Sequence, residues 1–110
     1  MATNKTQAAK LLNAAEMAVY SASVAPAIKD LTAARLTGKI KRARTLRDKF
    51  RDLLKRQKLA TRSRTGTKVG TSGNANERTA MKAEVFDEVL QRFTARLEQL
   101  QAVAAREAAR

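Results

Sequence analysis

Glu84, Asp87 and Glu88 form a short acidic cluster, with Glu84 and Glu88 four positions apart. On a helix that spacing places both carboxylates on one face, as a paired acid and base or a divalent-cation site would need. The rest of the sequence removes most of what such a pair would work with. There is no His and no Cys, so the usual neutral-pH general base, the usual zinc ligand, a thiolate and a disulfide framework are all missing. Lys82 and Arg92 lie within helical reach of the cluster. An ordinary solvated face, or an ion pair to a basic neighbour, is therefore the expectation for these acids. The segment GTKVGTSG invites comparison with a phosphate loop. It lacks the order Gly, four residues, Gly-Lys-Ser/Thr, and no strand precedes it, so a nucleotide site is not expected. Neither enzymatic activity nor a metal or cofactor is expected.

The residues that do stand out are cations. KIKRARTLRDKFRDLLKRQK, residues 39–58, carries ten Lys or Arg against two acids. The formal net charge is +13, and nearly all of it comes from one third of the chain: between Arg35 and Lys68 there are fourteen basic residues against Asp48 and Asp52. Local concentration of charge says more about a partner than the total does. Lys41, Arg42, Arg44, Lys49, Arg51, Lys55 and Arg56 can face outward while the helix stays packed, and a helix so decorated can neutralise several phosphates and release their counterions. Arg62 and Arg64 follow in a Gly-, Ser- and Thr-rich context suited to a mobile arm along a phosphate backbone. A ladder Arg44, Asp48, Asp52, Arg56 at spacings of four balances only part of this charge.

DNA or RNA, bound through largely sequence-independent phosphate contacts, is thus the leading partner. The alternative is a non-enzymatic helical scaffold or adaptor that self-associates and docks an acidic protein. Phe50, Phe86 and Phe93 lie on apolar stripes and read as core anchors rather than as base-stacking platforms. Tyr20 has no assigned role.

The elements that hold these residues are helical. The chain is rich in Ala, Leu, Arg, Lys and Glu, has three Phe, one Tyr and no Trp, and has the balance of long helices rather than sheets. Leu36, Ile40, Ala43, Leu46, Phe50, Leu53 and Leu54 recur mostly at steps of three or four, a stripe about 140° wide at about 100° per residue. Thr32 can cap this basic helix, expected over about 33–60. Met81, Val85, Phe86, Val89, Leu90, Phe93, Leu97, Leu100 and Val103 form a second stripe, expected to be a helix over about 77–107 with Asn76 as its cap.

Between them, TRSRTGTKVGTSGNAN, residues 61–76, reads as a flexible linker. Near the start, Asn13 and Glu16 have the spacing of a capping box for a short helix over about 14–22. Pro26 breaks the chain, and PAIKDL reads as one or two separate turns, so the short N-terminal helical segment extends to about 31. Residues 1–10 are expected to be frayed or weakly helical.

The fold class expected is all-α, in a single domain over 1–110: a long antiparallel helical hairpin with a short N-terminal helix. A chain of 110 residues buries a modest core. Its wide stripes favour a homodimer to complete that core, unless the N-terminal segment completes a three-helix bundle instead. No run of residues approaches the roughly 18 to 20 apolar positions of a membrane span. Asn13 and Glu16 interrupt any signal-peptide core, and a soluble, cytoplasmic protein is expected.

Overall fold

The computed structural model describes the backbone of residues 4–65 and 73–110 and the side chains of 4–60 and 76–110. Among the described residues there are four α-helices, α1 (Lys5–Leu11), α2 (Ala14–Ala22), α3 (Ala33–Thr65) and α4 (Gly73–Ala108), and one 3-10 helix at Ala27–Asp30 between α2 and α3. No strand occurs among the described residues.

The two long helices pack against each other as a hairpin. Phe50 of α3 stacks on Phe86 of α4 with ring centroids 5.8 Å apart and an interplanar angle of 11°. Around this pair, Leu36, Ala43 and Leu46 from α3 and Val85, Val89, Leu90 and Phe93 from α4 are buried. The predicted stripes are thus the inner faces of the hairpin, and Phe50, Phe86 and Phe93 are core residues, as their spacing implies. Two members of the second stripe are not. Met81 and Val103 are exposed, although Arg78 and Lys82 on either side of Met81 reach α1 and α2.

Both long helices exceed their expected bounds at the hairpin end. From Thr61 to Thr65 the sequence contains no Gly or Pro, and Ser and Thr lower helix propensity by only about 0.5 kcal/mol each, so α3 runs on to Thr65. At the other side α4 begins at Gly73, which puts Asn76 inside the helix rather than at its cap. Of the expected linker over 61–76, only 66–72 falls outside these helices, and it lies outside the described residues.

The N-terminal segment is more ordered than expected. Asn4 and Gln7 form a reciprocal capping box: the Gln7 amide donates to Asn4 Oδ1 at 2.8 Å and the Asn4 amide donates to Gln7 Oε1 at 3.2 Å. This starts α1, whose Ala8 and Leu11 are buried. Asn13 and Glu16 repeat the arrangement at the head of α2, at 2.8 and 3.1 Å, as their spacing predicts. Pro26 precedes the 3-10 helix, and the Thr32 hydroxyl accepts from the Arg35 amide at 3.2 Å, capping α3 as expected.

Leu11, Leu12, Val19 and Tyr20 join the same core as α3 and α4. The short helices therefore cover the open side of the hairpin. Polar clasps fix this cover. Lys82 of α4 pairs with the buried Glu16 at 3.2 Å while its Nζ lies 5.1 Å from the Phe50 ring centroid. Arg78 donates to the carbonyls of Leu11 at 3.3 Å and Lys10 at 3.5 Å, satisfying acceptors that a helix C-terminus leaves open. With the stripe covered, the exposed large apolar residues are Leu59, Met81 and Val103 among the described residues. The N-terminal segment thus occupies the edge of the hairpin that a second copy was expected to cover. The molecule is elongated, 65 × 26 × 22 Å, with a Cα radius of gyration of 17.3 Å. No helix among the described residues is long and apolar enough to cross a membrane.

Candidate functional site

The basic helix is held from one side only. Its apolar face packs on α4, which fixes the rotation of α3 and hence the direction of every cation along it. Lys41, Arg42, Arg44, Lys49, Arg51, Lys55 and Arg56 are all exposed. At about 100° per residue, Arg44, Arg51 and Lys55 fall in one row, and Arg42, Lys49 and Arg56 in a second row on the other flank. Lys41 lies on the outer ridge between the rows, together with Asp48 and Asp52. Lys41 to Lys55 spans about 21 Å at 1.5 Å per residue.

Ion pairing divides this set. Arg51 Nη2 lies 3.5 Å from Asp87 Oδ1, and Arg47 Nη1 reaches the same oxygen at 3.6 Å. Arg56 pairs with Asp52 at 2.7 Å. Asp48 is bonded by the neighbouring Arg47 at 3.1 Å. The expected four-residue ladder is therefore formed only at its Asp52–Arg56 end, because Asp48 is taken by the residue beside it. Arg44 is left unengaged as a result. Lys41, Arg42, Arg44, Lys49 and Lys55 make no ion pair with a carboxylate of any described residue. Lys49 lies over the Phe50 ring at 5.4 Å, which lays its stem along the helix surface and leaves its charge in solvent. Arg62 and Arg64 belong to the backbone of α3, and their side chains lie outside the described residues.

Two of the three acids of the cluster, Asp87 and Glu88, are engaged in ion pairs. Asp87 receives Arg47 and Arg51 on one oxygen and the Gln91 amide on the other at 3.0 Å. Glu88 pairs with Arg92 at 3.7 Å. A cleft of about 330 Å³ lies here, lined by Arg51, Ala83, Glu84, Asp87 and Glu88. No grouping of three metal-ligating side chains occurs among the described residues. The ion pair to the basic helix that the sequence suggested is the role Asp87 takes.

Arg47 was absent from the predicted set, and it is the arginine that joins α3 to Asp87 while also holding Asp48. Helical spacing alone places it beside the stripe, and that is the signal for an inward-reaching cation. Arg35 and Lys58 are exposed and also make no ion pair with a described carboxylate. Arg35 precedes the predicted residues, and Lys58 falls between Arg56 and Arg62 within their span.

Tyr20, buried in the core, carries the Arg92 guanidinium 5.6 Å from its ring centroid. Comparison of the chain with known protein families, with characterised proteins and with solved structures yields no match. The functional reading therefore stands on the geometry of this one molecule.

Proposed function

We propose that the chain binds nucleic acid, DNA or RNA, through the outer surface of α3, by phosphate contacts with little preference for sequence. The observation that carries this reading is the set Lys41, Arg42, Arg44, Lys49 and Lys55: five exposed cations on one packed helix, unneutralised by any described carboxylate. Like charges along a rigid rod repel one another, and a polyanion laid against them relieves the repulsion while shedding its condensed counterions. Phosphate contacts of this kind set position but carry no sequence information. Phe50, Phe86 and Phe93 are buried, so they offer no platform on which bases would stack.

The test is a titration of labelled duplex DNA, single-stranded DNA and duplex RNA of several sequences, at salt between about 50 and 200 mM, the range in which phosphate-dominated binding changes steeply. Affinity is expected to vary little with sequence and to fall linearly in log–log form with salt. The triple variant Lys41→Gln, Arg44→Gln, Lys55→Gln removes three charges that no described acid pairs with. It should reduce the magnitude of the salt slope by about two to three with an unchanged melting temperature. Equal binding by the folded variant and the parent would remove α3 from the interface. Absence of binding at low salt, together with saturable binding to an acidic polypeptide, would transfer the basic face to the alternative, an acidic protein partner.

A further inference from the structure

A second cationic feature lies away from the outer face of α3. Where the 3-10 helix packs on α4 there is a cleft of about 290 Å³, lined by Ser23, Ile28, Lys29, Arg92, Ala95, Arg96 and Gln99. Three of the seven lining residues are cations and none is an acid. We propose that this cleft is a binding site for a phosphate-type oxyanion, free or as a monoester, independent of the nucleic-acid reading of α3.

The first support is unused donor capacity. Arg92 Nη1 and Arg96 Nε are buried and have no hydrogen-bond partner among the described residues. Buried guanidinium donors are ordinarily satisfied, and leaving one without an acceptor is unfavourable. Both arginines line the cleft four residues apart on one helix, and a turn of each side chain toward it would let a single ligand with several acceptor oxygens satisfy both donors.

The second support is that the arginines are held in place by other contacts. Arg92 is oriented by its position over the Tyr20 ring at 5.6 Å and by Glu88, 3.7 Å from Nη2. Arg96 donates from Nη1 to Gln99 Oε1 at 3.3 Å. Each guanidinium is thus held by one nitrogen while another is left over.

The third support concerns the shape and charge of the ligand. Lys29 comes from the 3-10 helix, so donors approach from two elements. That convergence suits a tetrahedral group with three terminal oxygens better than a planar carboxylate with two. Ser23 does not compete for the ligand, because its hydroxyl donates to the Tyr20 carbonyl at 2.6 Å. Ile28 and Ala95 supply the apolar part of the lining. At about 290 Å³ the cleft has room for a phosphate group.

The cleft has a built-in reporter, because Tyr20 is the one tyrosine of a chain without tryptophan and Arg92 lies against its ring. The experiment is a titration of the full chain with inorganic phosphate, read by tyrosine fluorescence and by calorimetry, with sodium chloride at matched ionic strength as the control. One-to-one saturation with a change in tyrosine emission is expected, with chloride producing neither. Arg96→Gln should weaken binding about tenfold or more, the scale of one charge-assisted hydrogen bond. Lys29→Gln, on an exposed side chain, should weaken it several-fold and gives a second reading if Arg96→Gln lowers the melting temperature.

A nucleoside 5′-monophosphate titrated in parallel separates the two sources of the group. Tighter binding than inorganic phosphate identifies an esterified ligand, and equal binding identifies the free ion. Failure to saturate, an equal response to chloride, or affinity unchanged in both Arg96→Gln and Lys29→Gln overturns the site.

Discussion

Phe93 is fully buried, so its ring has no route to solvent when the hairpin is closed. Replacing it with Ala should cost about 3 to 5 kcal/mol, a large fraction of the total stability of a small domain. Urea unfolding of Phe93→Ala would show this as a lower midpoint, and an unshifted midpoint would argue against the core described. The aromatic residues were readable from spacing because burial follows helical period closely. Ion pairs were less readable. A spacing of four predicted Arg44–Asp48 and Asp52–Arg56, but Asp48 is bonded by Arg47 and only the second pair forms. Several arginines lie within reach of each acid on this helix, and rotamers decide among them. Long side chains leave that choice open in the sequence.

The short helices depend on their caps more than the long ones do, since a helix of seven or nine residues is too short to be stable by propensity alone. Asn13→Ala should cost about 1 kcal/mol. Glu16→Ala should cost more, because it removes a cap and also leaves Lys82 without its carboxylate. Chemical denaturation of the two variants side by side tests the order, and equal losses would mean that the Lys82 pair adds nothing. The boundaries of α2 and the cap of α3 were legible because each follows a short polar residue with the right spacing. Asn4 and Gln7 carry the same signal as Asn13 and Glu16, yet the first ten residues are polar and Ala-rich without strong periodicity, which points to fraying. Ala8 decides the matter: a small side chain with no exposed surface lets α1 lie close to its neighbours, and close approach of this kind is not visible in a hydropathy pattern. The extension of α3 to Thr65 was missed for a related reason. Ser and Thr suggest a loop by composition, but they do not stop a helix that is already formed.

At the scale of the molecule, the all-α class and the hairpin follow from two long stripes and little else. What the stripes alone left open was which surface would cover their outer edges, a second copy or the N-terminal segment. Residues 4–31 provide the cover, held by Leu11, Leu12, Val19 and Tyr20 in the core and by Glu16 and the α1 carbonyls at its polar edge. A chain lacking residues 1–31 should therefore expose the side of α4 on which they pack. It is expected to bind a hydrophobic dye and to self-associate at concentrations where the full chain does neither, and a monomeric truncated chain with the parent's melting temperature would contradict this. The basic character of α3 was plain from composition. The division of its cations into paired and unpaired sets was not, because two of the four ion pairs go to Asp87 of α4.

The elongation of the fold bears on how its oligomeric state is measured. A compact chain of this length would have a radius of gyration of about 13 Å, against 17.3 Å here. Friction and elution volume follow shape as well as mass, so a single copy should leave a gel-filtration column ahead of spherical standards of 12.1 kDa and resemble a dimer. Sedimentation equilibrium is blind to shape. It is expected to return the mass of one chain from the same peak, and a mass twice as large would restore the second copy.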